Sequence, residues 1–359
     1  MKRVHNFSAG PAALPTEVLE IVKDELLDYQ KTGTSIMEKS HRGKEYSEVD
    51  AQAKERLTRI LGLKDDFHIM FLQGGASAQF MQVPMNFLGE GETADYINTG
   101  VWSKKAIKEA KLFGNVHVPF SDESEQFSHI PDDSELQLSE NPRYVHFTSN
   151  NTIYGTQFQA EPKSNGAPLV CDASSDFLSR EIDIDRYGVI YAGAQKNLGP
   201  SGVTVVIVRK DLLNTADKTG IPTILDYHTH AERIFNTPPT FAVYMVNLVL
   251  QWFEEKGGIS YFKKLNDQKT ELLYGSIDSD DFYRGTARSD SRSKMNVTFR
   301  LPSEELESRF LKEAGENGMV ALKGHRSVGG IRASIYNACP LGSVKALTDF
   351  MKHFRDKNG

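Results

Sequence analysis

Short segments rich in β-branched apolar residues alternate with segments of helical periodicity up to residue 208. Apolar residues recur at three- and four-residue intervals in the helical segments, whereas the others are apolar runs bounded by turn residues. Helices are predicted over residues 16–30, 47–61, 76–87 and 103–111. Strands are predicted over residues 68–72, 93–98, 116–119, 144–148, 169–172, 189–192 and 203–208. Strands that alternate with helices in this way indicate an α/β fold with a mostly parallel, seven-stranded sheet flanked by helices.

The order of elements changes after residue 257. A long and largely buried helix is predicted over residues 240–256, and the pair Gly257-Gly258 that follows it is a candidate hinge. Beyond this pair, helices are predicted over residues 261–274 and 303–317 and from residue 343, with a strand over residues 295–300. We therefore expect an N-terminal segment (1–15), a large domain (16–257) and a smaller C-terminal α/β domain (258–359).

Composition limits the class of partner. The 359 residues include 42 Lys and Arg against 48 Asp and Glu, which gives a formal net charge of −6. A nucleic-acid binder with a basic face is therefore disfavoured, and an anionic partner would need a local pocket. The longest apolar stretch, residues 241–253, is shorter than the roughly 20 residues that cross a bilayer, so no membrane segment is predicted.

Cysteine usage and the N-terminal region predict the compartment. Cys171 and Cys339 lie far apart and have no spacing typical of a disulfide framework or a zinc site. The first residues include no apolar stretch of the kind found in signal peptides. We expect a protein of the reducing cytoplasm. His228 and His230 alternate in the sequence, but no third ligand is suggested nearby, and no metal site is predicted.

The most informative segment for chemistry is residues 189–208, where Lys196 lies in a small, glycine-rich connection between two apolar strands. A desolvated lysine can lose its proton near neutral pH and form an imine with an aldehyde, and pyridoxal phosphate is the aldehyde that would fit. From these residues alone, a solvated surface lysine is an equally good interpretation.

Three further features match what pyridoxal phosphate needs. Asp172 ends an apolar strand 24 residues before Lys196 and could pair with the ring nitrogen, although a strand-end Asp is more often a turn residue or a cap. The Gly-Gly turn within residues 71–79 could offer backbone donors to the phosphate, although such a turn is a weak motif. Trp102 is a candidate to stack on the ring, although tryptophan is more often simply buried. No strand is followed by G-x-G-x-x-G, so a nicotinamide dehydrogenase is poorly supported.

Several longer motifs extend over the whole chain. They lie at residues 6–12 (Asn-Phe-Ser-Ala-Gly-Pro-Ala), 40–43 (Ser-His-Arg-Gly), 71–76, 146–157, 191–200, 236–240 and 324–334. Through these motifs the chain resembles the phosphoserine aminotransferase family along its entire length. That family consists of class-V aminotransferases with the pyridoxal-phosphate-dependent transferase fold of type I, and several of the motifs are specific to it.

The resemblance implies roles for individual residues. Lys196 would bind pyridoxal phosphate covalently, Asp172 would pair with its ring nitrogen, and Trp102 would stack on the ring. Further cofactor contacts are implied for Ala76, Ser77, Thr152, Gln195, Asn236 and Thr237, the last two reaching in from a second subunit. Because these two residues would come from a second subunit, the resemblance also implies a homodimer with two shared active sites. The chain departs from many family members at Ser77, where they carry an arginine.

The implied reaction is a reversible, ping-pong transamination of 3-phosphohydroxypyruvate with L-glutamate, giving O-phospho-L-serine and 2-oxoglutarate in serine biosynthesis. A 4-phosphohydroxythreonine-type substrate of pyridoxine biosynthesis is a further expectation. Arg332 is the candidate for the α-carboxylate, because a guanidinium binds a planar carboxylate through two donors. The candidates for the distal carboxylate or phosphate are His41, Arg42, His325 and Arg326, of which the first two would come from the neighbouring subunit. Without the resemblance, residues 323–326 read as a solvated basic loop.

Two alternatives remain at this stage. Within the same fold, the chain could be a small-substrate transaminase or a cysteine desulfurase. A desulfurase needs a mobile thiol near the cofactor, and the predicted positions of Cys171 in a strand and Cys339 in the small domain argue against one. In a different class, the chain could be a binding protein that keeps the fold but has no activity. The joint presence of Lys196, Asp172 and Trp102 argues against that alternative.

Overall fold

The computed structural model of the chain describes residues 3–216 and 220–359. Residues 1, 2 and 217–219, among them the first two residues of the predicted N-terminal segment, lie outside the described residues. The strands are β1 (His5–Asn6), β2 (Phe67–Leu72), β3 (Thr93–Tyr96), β4 (Asn115–His117), β5 (Val145–Thr148), β6 (Asn150–Asn151), β7 (Thr156–Gln157), β8 (Leu169–Asp172), β9 (Tyr187–Gly193), β10 (Thr204–Arg209), β11 (Arg284–Gly285), β12 (Asn296–Arg300), β13 (Met319–Val320) and β14 (Ile331–Ser334). The α-helices are α1 (Thr16–Glu25), α2 (Lys44–Leu61), α3 (Gly75–Phe87), α4 (Val101–Ala110), α5 (Lys210–Leu213), α6 (Tyr227–Glu232), α7 (Thr240–Lys256), α8 (Gly258–Ile277), α9 (Glu304–Glu316) and α10 (Leu341–Asn358).

A seven-stranded sheet with the order β2-β10-β9-β8-β5-β3-β4 forms the centre of the molecule. Strand β10 is antiparallel to β2 and β9, and the other neighbouring pairs are parallel. The predicted mostly parallel α/β fold is therefore confirmed. Strands β5, β8 and β9 are buried along their whole length, because helices cover both faces of a parallel sheet.

Successive residues of β9 point into two different hydrophobic cores. Ile190 and Ala192 pack with helices α1, α2 and α7 on one face of the sheet. Val189 and Tyr191 pack with helices α3, α4 and α6 on the other face. This alternation is the two-residue period of a strand. The apolar side chains along the strands are thus buried in the two cores. The polar residues lie at the ends of the strands, where they can form a site at the edge of the sheet.

The predicted helix over residues 240–256 is confirmed as α7, and Gly257 ends it with a φ of 111°. Helix α8 begins directly at Gly258, also at positive φ (63°), three residues earlier than predicted. Glycine adopts this backbone conformation without steric cost. By contrast, the predicted helix over residues 16–30 is too long: α1 ends at Glu25, and Gln30 adopts a φ of 49°.

A third hydrophobic core lies among α8, α9, α10 and the three-stranded antiparallel sheet β11-β12-β14. Phe7 of the N-terminal segment is fully buried in this core, and β1 pairs with β13. The N-terminal segment therefore packs with the C-terminal part of the chain. The division into domains at residue 257 stays a prediction.

Candidate active site

Polar side chains gather where the parallel strands end. Asp172 is the last residue of β8, and Lys196 follows the end of β9, the next strand in the sheet. Asp172 is paired in register with Tyr191, five residues before Lys196. The carboxyl ends of parallel strands lie at the same edge of a sheet, and this edge is where α/β proteins bind ligands.

Burial and opposite charge set the titration of this pair. Asp172 is buried, and the backbone N–H of Ser174 donates a hydrogen bond to its carboxylate (3.0 Å). Burial raises the pKa of Asp172, while the charge of Lys196 opposes the rise. Burial lowers the pKa of Lys196, Asp172 and Asp176 oppose that shift, and the positive charge of Arg332 adds to it. The Lys196 amine is therefore easier to deprotonate than an ordinary lysine.

Trp102 and Thr152 lie beside Lys196. The indole N–H of Trp102 donates a hydrogen bond to Thr152 Oγ1 (3.1 Å), and Lys196 Nζ lies 5.8 Å from the centre of the indole ring. Trp102 is the second residue of α4, and Gly100 is the N-cap of this helix. A Cβ atom at Gly100 would lie 2.6 Å from Asn151 Oδ1, so the glycine is required for this close approach. The structure thus brings together three of the predicted site residues.

Arg332 reaches the same place from the C-terminal sheet. It lies on β14, and its Nη1 donates a hydrogen bond to the Thr152 carbonyl oxygen (3.0 Å). Burial lowers the pKa of this guanidinium. Within residues 3–216 and 220–359, no carboxylate lies within ion-pair distance of Arg332. A partly buried cation without an acidic partner is well placed to bind an anionic ligand.

The loop that precedes β14 contributes the His325 imidazole and the positive charge of Arg326. His325 Nδ1 and Ser327 Oγ are hydrogen-bonded at 2.7 Å. Burial lowers the pKa of His325, and so do the nearby charges of Arg332, Arg326 and Lys105. Three of the five predicted substrate-binding residues, His325, Arg326 and Arg332, are therefore close in space. Lys105 was not among the predicted residues, although its position three residues after Trp102 on a helix was a signal.

A helix start with free backbone donors lies where the phosphate was predicted to bind. Helix α3 begins at Gly75, and its N-cap residue Gly74 provides no side-chain hydrogen bond. The first N–H groups of this 13-residue helix, around Ala76 and Ser77, are thus available to an anion. Gly74 has a φ of 93°, and a Cβ atom there would lie 2.6 Å from Ala78 Cβ. Gln195 folds over Gly193, where a Cβ atom would lie 2.6 Å from its Oε1.

Among residues 3–216 and 220–359, four predicted site residues form no hydrogen bond or ion pair with Lys196, Trp102 or Arg332. His41 and Arg42 lie in the turn before α2, where His41 is partly buried and Arg42 is exposed. Asn236 donates a hydrogen bond to Gln73 Oε1 (2.8 Å), and Gln73 donates one to the Thr237 carbonyl oxygen (3.4 Å). Asn236 and Thr237 therefore lie near the turn before α3. Their predicted contribution to a second subunit's site stays a prediction.

The N-terminal segment forms part of the site, which the sequence analysis did not predict. A Cβ atom at Gly10 would lie 3.6 Å from Lys196 Cγ. The Ala12 N–H donates a hydrogen bond to the Gln195 carbonyl oxygen (2.8 Å), and the Tyr336 hydroxyl donates one to the Ala9 carbonyl oxygen (2.8 Å). The motif at residues 6–12 was the available signal, but a motif does not say what it contacts.

Comparison with known proteins places this arrangement in a family. The family "Aminotransferase class-V" matches residues 4–347. The chain belongs to this family. A phosphoserine aminotransferase from Herpetosiphon aurantiacus is 54% identical over 359 residues, which cover 99% of each chain. The solved structure of a phosphoserine aminotransferase from Bacillus circulans subsp. alkalophilus has a TM-score of 0.97 and 53% identity over 100% of both chains. A phosphoserine aminotransferase from Trichomonas vaginalis, solved with PLP bound, has a TM-score of 0.93 and 40% identity over 98% of this chain and 100% of that one.

The surroundings of the cysteines and histidines bear on the remaining alternatives for this class-V aminotransferase, a desulfurase and a metal site. Both cysteines are buried and free, and burial raises the pKa of each thiol, that of Cys339 to about 11. Neither is the mobile, ionisable thiol of a desulfurase.

His228 and His230 lie in helix α6, where side chains two residues apart diverge. The described residues include no cluster of three or more His, Cys, Asp or Glu suited to a metal, and no helix among them could cross a membrane.

Proposed function

We propose that the protein is a phosphoserine aminotransferase. It would use pyridoxal phosphate to transfer the amino group of L-glutamate to 3-phosphohydroxypyruvate, reversibly, with O-phospho-L-serine and 2-oxoglutarate as products. Relatives that are called phosphoserine aminotransferases match the full chain at 52 to 55% identity. The observation that carries the proposal is that Lys196 and the buried Asp172, which interact electrostatically, share one site with Arg332, a cation without an acidic partner among the described residues.

The residues of the site fit pyridoxal phosphate. The buried Asp172 carboxylate accepts a hydrogen bond from the Ser174 backbone N–H, and its two oxygens have capacity to accept another from a protonated ring nitrogen. The uncapped start of α3 suits the phosphate. The indole of Trp102 is held in place by Thr152 and can cover the ring. Lys196, whose pKa is lowered by burial, supplies the amine for covalent attachment.

The protein residues would move protons and hold the substrate. Pyridoxal phosphate, when bound, supplies an electron sink for the substrate's α-carbon. The neutral Lys196 amine, once free, takes the α-proton at Nζ and later returns it, as a general base and acid. Asp172 keeps the ring nitrogen protonated through its negative charge. The Gly10 backbone and the Trp102 ring both lie close to Lys196 and restrict the path of its side chain.

Both substrates carry an α-carboxylate, and we assign it to Arg332. The bond from Arg332 Nη1 to the Thr152 carbonyl oxygen fixes one side of the guanidinium and leaves further N–H donors for a carboxylate. The distal group, a carboxylate in glutamate and a phosphate in the acceptor, would bind His325 and Arg326 of the same chain. His41 and Arg42 would join them from a second subunit.

We propose that the protein is a homodimer with shared sites and acts in the cytoplasm. In support, Arg42 is exposed in the single chain, as are the apolar side chains of Met37, Ile224 and Ile234. Exposed apolar residues of this kind favour an interface. Asn236 and Thr237 lie two and three residues after Ile234, so a partner that covers Ile234 would be close to them too. The two free cysteines fit a reducing compartment.

A product assay tests the proposed function. The purified enzyme, given L-glutamate and 3-phosphohydroxypyruvate, should form O-phosphoserine and 2-oxoglutarate in equal amounts, measured by chromatography. Pyruvate and glyoxylate, which lack the phosphate, should be poor acceptors because the distal cations would have no anion to bind. Faster turnover of pyruvate or glyoxylate would instead assign a small-substrate transaminase. Release of sulfur from L-cysteine would assign a desulfurase.

A further inference from the structure

The active site carries positive charge that no acidic residue neutralises. Lys105, Arg326 and Arg332 form no ion pair with any carboxylate in residues 3–216 and 220–359. This contrasts with Lys104, the neighbour of Lys105 on helix α4, which forms an ion pair with Glu123. It also contrasts with the chain as a whole, whose net charge is −6. Such a concentration of unpaired cations indicates an anionic ligand with more than one negative charge.

Lys105 belongs to this cluster by geometry. Its Nζ lies 4.5 Å from the centre of the Trp102 ring, the same ring that lies 5.8 Å from Lys196 Nζ. Its charge also reaches His325, in the loop before β14. The ammonium group therefore lies near both Trp102 and the loop that carries Arg326. Lys105 is otherwise exposed, and its four-carbon stem is free to turn toward a ligand.

We propose that Lys105 determines specificity for the phosphorylated acceptor by binding its phosphoryl group. This inference rests on the proposed function. A phosphate monoester carries a charge of about −1.5 to −2 and three acceptor oxygens, whereas the distal carboxylate of glutamate carries one charge and two oxygens. The His and Arg donors can serve both groups. An additional ammonium, which binds phosphate as a point charge, favours the more highly charged one.

Variants of the holoenzyme test the inference in both half-reactions. Lys105→Gln should raise the KM for 3-phosphohydroxypyruvate about tenfold, as expected for one lost charge-assisted contact, and change kcat and the KM for glutamate less than about twofold. Lys105→Arg, which keeps the charge, should stay close to wild type. Lys104→Gln is the matched control on the same helix and should change neither KM. Inhibition by inorganic phosphate should weaken in Lys105→Gln alone.

Two results would overturn the inference. Equal losses for glutamate and the phosphorylated acceptor would mean that Lys105 acts by positioning Trp102. Unchanged KM and phosphate inhibition in Lys105→Gln would mean that its charge does not reach the ligand. Failure of the proposed function is distinct from both, because the wild-type enzyme would then not aminate 3-phosphohydroxypyruvate at all.

Discussion

The residues of the site differ in how far the sequence alone could predict them. Lys196 and Asp172 were predictable because each follows an apolar strand, and the ends of adjacent parallel strands meet at one edge of the sheet. The approach of Gly10 to Lys196 and that of Lys105 to His325 were not, because each joins parts of the chain that are distant in sequence. Strand ends can be read locally, whereas packing between a terminal segment and a loop cannot.

The Lys196 amine should respond in opposite directions to two charge changes. The negative charge of Asp172 raises the pKa of Lys196, and the positive charge of Arg332 lowers it. Asp172→Asn should therefore shift the midpoint of amine deprotonation to lower pH, and Arg332→Gln should shift it to higher pH. The rate at which cofactor-free protein binds pyridoxal phosphate covalently, followed by absorbance against pH, reports this midpoint, because only the neutral amine reacts. Equal midpoints in both variants would contradict this electrostatic account.

At the scale of elements, the sequence predicted whether a segment is a helix or a strand better than it predicted where the segment begins and ends. The run of apolar residues that forms α7 is long enough to identify, and Gly257 marks its end. The end of α1 was predicted five residues too late, because the turn around Gln30 depends on hydrogen bonds such as that from the Gly33 N–H to Asp28 (2.6 Å). The spacing of apolar residues does not show where a side chain takes the place of a helical partner in a backbone hydrogen bond.

A buried lysine of helix α8 binds the loop of residues 335–339, which lies close to the site. Lys269 is fully buried, and its ammonium donates hydrogen bonds to the carbonyl oxygens of Ile335 (2.7 Å), Tyr336 (2.8 Å) and Cys339 (3.4 Å). Burial lowers the pKa of Lys269 to about 8, so the group is still mostly protonated at neutral pH. Asn337, which follows Tyr336 in this loop, donates its backbone N–H to the side-chain oxygen of Asn197 (3.0 Å). Asn197 is the residue after Lys196.

Replacing Lys269 with methionine should destabilise the fold. The substitution leaves three buried carbonyl groups without their donor, so we expect a loss of about 2–4 kcal/mol in the free energy of unfolding. Denaturant titration measures it. Lys263→Met is the matched control, because Lys263 lies on the same helix, is exposed and forms a surface ion pair with Glu181 (3.4 Å). The control should cost less than about 1 kcal/mol. Similar losses in both variants would contradict a special contribution of Lys269.

At the scale of the whole molecule, the proposed shared site makes each subunit depend on the other. A single chain holds Lys196, Asp172 and Trp102 together, whereas Arg42 is exposed before α2 and, in the part of the chain that the structure describes, forms no hydrogen bond or ion pair with them. Periodicity and motifs in one chain describe that chain alone. The contribution of a second copy therefore entered the sequence analysis through family resemblance and not through the residues' own pattern.

Mixed dimers test whether the site is shared. Lys196→Ala and Arg42→Ala subunits, each poorly active alone, should recover roughly a quarter of wild-type activity when dissociated and recombined, because half of the dimers would be mixed and each would hold one intact site. Mixing Lys196→Ala with Asp172→Asn is the control: both changes fall on the same side of the site, so no intact site can form. Recovery in the control, or none in the first mixture, would contradict sharing across subunits.

The central claim is that one site, operated by Lys196, serves both anionic substrates in turn. Its most direct test is the separate half-reactions of the holoenzyme, followed by absorbance and product release. Glutamate alone should abolish the visible absorption band and release one 2-oxoglutarate per subunit, and 3-phosphohydroxypyruvate should then restore the band and release one O-phosphoserine. Lys196→Ala should lack the starting band of the attached cofactor. A band that glutamate leaves unchanged, or one that 3-phosphohydroxypyruvate does not restore, would contradict the account.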